Sequence, residues 1–386
     1  MRFPGLSIVL LLVAAVFAAA PGHAFANENA AAPAATMLNA EKSNADDDAS
    51  DPLAIKLDEL WQTYQASLLN SLNASSDPHD WALAALMQPF DQDETNQRER
   101  AALIGRAKAV APDDVLVQWI GLRISFTHPN TGIDHDATLL ALQRLEPDNA
   151  AVWMEALVSA ARRKDDAAAD AALAQMAASK HSDEHIADLM KAQIEVDKRY
   201  PMPDEYYVLA AKKFPGFSAQ AAPYIYSVAV IAAVALPAYQ DIIKACTIDS
   251  ATGENAGRAA ACATVGRMMV TKGTNWVANR IGSAILRRSG TFTDDDVKQA
   301  RVQDWIYYQD IAPHADPNTE ESTQHIVAKM NDWCETNSEL ESMRREVARA
   351  GKPLTPPPDW VDAQSPFSAE RLRSDQLAAA NVAHRN

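Results

Sequence analysis

The chain has 386 residues, 51 acidic against 35 basic side chains, and a net charge of −16. That balance repels nucleic acid and anionic lipid at long range, which excludes a basic nucleic-acid binder and fits a cationic partner better than an anionic one. The three cysteines, Cys246, Cys262 and Cys334, include no Cys-x-x-Cys pair, which argues against thioredoxin-like redox chemistry.

Residues 1–26 read as a cleaved export signal. Arg2 supplies the positive start, Leu6 to Ala20 an uncharged apolar run, and Ala24-Phe25-Ala26 a small-x-small cleavage site. No cysteine follows, so the mature chain is not a lipoprotein and is expected in a periplasm, with a net charge of −17 once Arg2 is lost. Residues 27–51, rich in Ala, Asn, Asp and Ser, are expected to be a disordered leader, because so few large apolar side chains cannot offset the cost of ordering.

From Pro52 onward the pattern is helical. Asp51 caps and Pro52 opens a helix on which Leu53, Leu57, Leu60, Trp61, Tyr64 and Leu68 recur at three- and four-residue steps. No run alternates β-branched residues, so the class is all-α. Two stretches then repeat: APDDVLVQWIGL (111–122) and EPDNAAVWMEAL (146–157), whose prolines, Pro112 and Pro147, lie 35 residues apart. RKDD (163–166) reads as the turn inside the second unit, and Ala169, Leu173 and Met176 as the apolar stripe of its second helix.

On these residues, about 111–200 resembles a tetratricopeptide (TPR)-like array, whose period is about 34. The resemblance implies stacked antiparallel helical hairpins, an α-α superhelix over 52–215, with a binding groove on the side of the first helices. Gln118, Trp119, Arg123, Trp153 and Arg162 are its candidate partner contacts. Leu122 and Leu157 depart from that family's small eighth residue, and HPNTGIDHD (128–136) is an added polar loop.

A second helical region is expected over 216–350. Its uncharged opening, 214–240, is divided by Pro223 and Pro237 into a piece of about 20 Å as helix, too short for a bilayer core of about 30 Å, so it reads as a buried core helix. Cys246 and Cys262 flank a polar link between helices and are the favoured disulfide, with Cys334 the odd residue. Helices are expected near 266–288, with Thr274 or Asn275 as a cap, at 294–311, and over 319–350, ending at Gly351. On 294–311, Trp305 and Tyr308 share a face and Tyr307 turns away, an arrangement that serves either core packing or a ligand groove. Residues 351–386 form a proline-rich exit and a short tail.

One motif carries chemistry on its face. HSDEH (181–185) is His-x-x-Glu-His, the inverted zinc-protease pattern, with His181 and His185 as ligands and Glu184 as base. It falls where the repeat places a turn between helices. Ser182 reads as a helix N-cap with Asp183 and Glu184 in the first turn, which takes the two imidazoles off a common helical face. A second polar cluster, His128, Asp134, His135 and Asp136, reads as a solvated loop with Asp134 capping the next helix. Phosphate-binding glycine loops, a GxSxG elbow and an SxxK pair are absent from the sequence, and no cofactor is implied. The expected function is therefore a non-enzymatic periplasmic interaction protein, of scaffold, adaptor or inhibitor/immunity type, whose partner is another envelope or secreted protein. A peptidoglycan-acting envelope enzyme is the alternative, and a zinc metallohydrolase through HSDEH a remote one.

Overall fold

Several helix starts in this chain are set by short acceptor side chains. At α1 (Pro52–Ala74) the Asp51 carboxylate accepts from Leu53 N at 2.9 Å and Pro52 occupies the first turn. At α2 (Pro78–Met87) Asp77 and Pro78 repeat the device. A computed structural model describes residues 51–89, 93–127, 131–213, 217–233, 239–249, 252–311 and 320–360. The expected export signal, nearly all of the expected leader, His128, Pro215-Gly216 and the tail beyond Trp360 lie outside them.

Among the described residues there are sixteen α-helices and no β-strand, so the all-α expectation holds. After α1 and α2 come α3 (Glu94–Val110), α4 (Val115–Thr127), α5 (His135–Leu145), α6 (Ala150–Arg163), α7 (Asp166–Ala178) and α8 (Ile186–Arg199). There follow α9 (Asp204–Lys213), α10 (Ala222–Ala233), α11 (Tyr239–Ala245), α12 (Ala259–Lys272), α13 (Trp276–Arg288), α14 (Asp294–Ile311), α15 (Glu320–Thr336) and α16 (Glu339–Arg349). None of these is long and apolar enough to cross a membrane.

The chain forms two compact units that interleave in sequence. One takes the described residues within Met1–Ala107, Leu189–Val234 and Ile311–Asn331, and the other those within Lys108–Asp188, Ala235–Asp310 and Asp332–Asn386. The expected division at residue 215 therefore does not coincide with the units.

In the first unit, Leu57, Tyr64, Leu68 and Leu72 of α1 are buried, as are Ile194, Tyr206, Ile225 and Tyr226. Arg100 is fully buried, and its guanidinium donates to the carbonyls of Ala85, Gln88 and Pro89 at 2.8–3.0 Å. It thus meets the negative end of α2 and its orphan carbonyls with a fixed charge.

The second unit pairs α4 with α5, α6 with α7, and α12 with α13. The turn between α6 and α7 falls where RKDD placed it: α6 ends at Arg163, Lys164 is left-handed (φ 56°), and Asp165 caps α7. Start chemistry recurs 35 residues apart. Gln118 donates to the Pro112 carbonyl at 2.7 Å and Trp153 to the Pro147 carbonyl at 2.9 Å, while the side chains of Asp114 and Asn149 take helix N–H groups. α12 and α13 cross where Gly266 meets Gly282. A Cβ on Gly282 would stand 2.6 Å from Gly266 O and 2.8 Å from Val270 N, so only glycine permits this approach.

The Cys246 and Cys262 sulfurs lie 2.01 Å apart, at disulfide distance, and both residues are fully buried among Leu173, Ile242, Val265 and Ile281. Cys334 stands outside that bridge, half-buried. Asn275, rather than Thr274, caps α13. One expectation is corrected: the helical stretch over 319–350 is two helices. Asn337 turns left-handed (φ 52°) and Ser338 caps α16 by accepting from Glu341 N, a start written as Ser-x-x-Glu.

Candidate functional site

The HSDEH segment sits inside the second unit as a link with extended contacts. Lys180 N donates to Asp148 O at 2.9 Å, Ala150 N donates to His181 O at 2.8 Å, and Ser182 bridges to Gly273. This corrects the capping expectation. Ser182 is buried in that bridge, and the helix begins only at Ile186, after His185 in left-handed backbone (φ 56°). The Asp183 carboxylate, not the Ser182 hydroxyl, accepts from His185 N at 2.8 Å. Backbone pairing to two loops offers the segment more bonds than an early helix start would.

Each side chain of the segment has a separate setting. Asp183 also accepts from Asn337 Nδ2 at 2.6 Å and from Thr274 Oγ1 at 3.3 Å, and its backbone exchanges two bonds with the Asn149 side chain. Glu184 is buried, accepting from the Tyr239 hydroxyl at 2.5 Å and from Asn275 Nδ2 at 2.7 Å. Burial raises the Glu184 carboxyl above its ordinary range, opposed by the Arg123 guanidinium and the Tyr239 bond and aided by Glu155 and Asp183. Arg123 itself pairs with Glu155 at 3.3 Å, both buried.

His185 lies between two carboxylates. Its Nδ1 is 2.9 Å from Asp188 Oδ2 and its Nε2 is 2.9 Å from Glu146 Oε1. Burial alone would lower its pKa, but the bonds to Asp188 and Glu146, with Asp183 nearby, outweigh burial and lift it to about 10. Both ring nitrogens therefore donate, leaving neither lone pair for a metal. Glu146 is completed by the Trp119 indole N–H at 2.9 Å. Burial would raise its carboxyl, yet the hydrogen bonds from His185 and Trp119 hold it below the ordinary value. His181 is exposed.

Among the described residues, no group of three or more His, Cys, Asp or Glu side chains is placed to hold a metal ion. In the other cluster, Asp134 caps α5 by accepting from Ala137 N, and His135 Nδ1 meets Ser125 Oγ at 2.9 Å. The arrangement around HSDEH ties the starts of α6, α8, α13 and α16 together and gives the zinc-hydrolase expectation no support.

The five expected partner contacts divide. Gln118, Trp119 and Arg123 are buried, bonded to Pro112, Glu146 and Glu155, and offer a partner no surface. This is a correction: the buried stripe of α4 runs nearly all the way round the helix, so these positions are core. Trp153 keeps an open edge, and Arg162 is exposed, its guanidinium 4.4 Å from the Phe126 ring.

Trp153 instead joins a groove of about 550 Å³ across α5, α6 and α7, with Leu139, Leu140, Ala156, Arg163 and Ala171 in its lining. Leu140 is 65% exposed while Leu139 and Leu142 are buried. In the run TLLALQRL the buried Leu139 and Leu142 lie on one face of α5, and Leu140 stands about 100° round from Leu139, off that face.

No protein-family model, no curated protein and no solved structure matches the chain.

Proposed function

We propose that this protein is a non-enzymatic interaction protein of the bacterial periplasm, built on TPR-like helical hairpins, with a cationic envelope or secreted protein as its partner. The observation that carries the reading is the direction its polar chemistry faces. Glu184 and His185 are spent on internal bonds, whereas an apolar groove with Leu140 and the edge of Trp153 stays open on α5 to α7. A surface of that kind binds by area and shape rather than by a reactive group. The net charge of −16 and the signal-like residues 1–26 support the choice of partner and compartment.

The test is capture from envelope extract followed by purification of the captured protein and measurement of its affinity. Binding that weakens with salt and falls at least tenfold with Leu140→Asp or Trp153→Ala is expected. Turnover of cell-wall material by the purified chain, or affinity indifferent to both substitutions, would overturn the reading.

A further inference from the structure

The proline-rich exit is held against one face of α14 by contacts of the kind that read proline-rich peptides. Arg301, Trp305 and Tyr308 stand at i, i+4 and i+7 and share that face. The Trp305 ring stacks beside Tyr308 at 6.1 Å and meets Trp360 edge-on at 5.2 Å. Its indole N–H donates to the Pro353 carbonyl at 2.7 Å. The Arg301 guanidinium donates to the carbonyls of Pro357, Pro358 and Trp360 at 2.5, 3.0 and 2.6 Å. Pro356, three residues after Pro353, is buried, whereas Leu354, Thr355, Pro357 and Pro358 are exposed.

The chemistry of proline explains the pattern. A proline run has no N–H to join a helix or sheet, so its carbonyls await donors from elsewhere, and its fixed φ makes docking cheap in entropy. A flat aromatic pair with an indole N–H and a guanidinium meets both needs. These Arg301 and Trp305 bonds go to backbone carbonyls, so they read the course of the backbone rather than the side chains of this one segment. Tyr308 is 44% exposed and Leu354 40% exposed, so the seat lies at the surface with an open edge.

We propose that the Arg301–Trp305–Tyr308 face is a recognition site for proline-rich peptides of the form Pro-x-x-Pro-Pro-Pro-x-Trp, occupied in cis by residues 352–360. A partner's proline-rich segment enters by displacing this strap. The proposal deepens the interaction reading and rests on it for the existence of a partner. A short tether keeps the strap at an effective concentration on the order of millimolar, so it competes with any free peptide.

The test uses the full chain and a labelled peptide of sequence KPLTPPPDW, with fluorescence anisotropy as the readout. The double variant Pro356→Ala/Trp360→Ala loosens the strap and is expected to bind the peptide about tenfold more tightly than the unchanged chain. Adding Arg301→Ala should abolish that binding, and adding Trp305→Phe, which keeps a ring but deletes the N–H, should weaken it about tenfold. No saturable binding to a loosened chain that still melts cooperatively, or equal binding of a scrambled peptide, would overturn the proposal. If the loosened chain fails to fold, millimolar peptide added to the unchanged chain must shift the indole resonances of Trp305 and Trp360, and their constancy overturns it equally. A chain that captures its envelope partner yet ignores the peptide loses this site alone. One that binds the peptide and captures nothing loses the broader reading and keeps the site.

Discussion

His185 shows how much one side chain can hold. With a folded pKa of about 10 against 6.5 for the free residue, it binds its extra proton more tightly when folded. Its stabilisation is complete below about pH 6.5 and is lost as pH rises through 10. His185→Gln is therefore expected to lower stability by about 2 kcal/mol at pH 6, the scale of bonds to charged groups, with the deficit vanishing above pH 10. Urea titrations across that range read it directly. Asp197 in the first unit shows the opposite design. Burial pushes its carboxyl up to about 8 despite the bond from Gln193 at 3.1 Å, and its Oδ2 has no hydrogen-bond partner. The folded state thus retains a proton that the unfolded chain releases near pH 3.8, so stability is lost as pH climbs from there to 8. Asp197→Asn should leave the melting temperature little changed at pH 4 and raise it progressively up to pH 8; a gain independent of pH would show that the carboxyl is ionised when folded. Neither role was legible in the sequence. His185 and Glu184 stood out only as a motif, and their partners Glu146, Tyr239 and Asn275 are 39, 55 and 91 residues away.

At the scale of elements the sequence was far more readable. Caps at Asp51, Asp134 and Asn275, the turn at 163–166, the helix at 294–311 and the stop at Gly351 all follow from interactions within a few residues. The break at Asn337-Ser338 is equally local, but its Ser-x-x-Glu start lies inside a long charged helical pattern that masks it. The crossing of α12 and α13 is different in kind, since nothing in either helix announces that Gly266 and Gly282 will face each other. Gly282→Ala should cost about 2 kcal/mol, because the added methyl meets backbone atoms that cannot rotate aside. Gly105→Ala in α3 has nothing within 4 Å of the new Cβ and should instead gain about 0.5 kcal/mol. Denaturant midpoints of the two variants, compared with the parent, give the contrast.

For the molecule as a whole, the Cys246–Cys262 pair encloses 15 residues of polar link and seats both sulfurs in the buried cluster of the second unit. Cys246→Ser/Cys262→Ser, or reduction, is expected to lower stability by about 3 kcal/mol while leaving the helical circular-dichroism spectrum intact below the transition. Loss of helicity without denaturant would mean that the bridge, not the core, carries the fold. By itself the sequence determined the helical class, most of the turns and caps and the acidic charge, and favoured the cysteine pair, because each depends on nearest neighbours, composition or a short loop. The tertiary structure alone decided that HSDEH would be an internal tie, that Gln118, Trp119 and Arg123 would be core, and that the two compact units would interleave. Those outcomes depend on which distant helix arrives beside a given residue, and that pairing leaves no periodicity in the chain to be read.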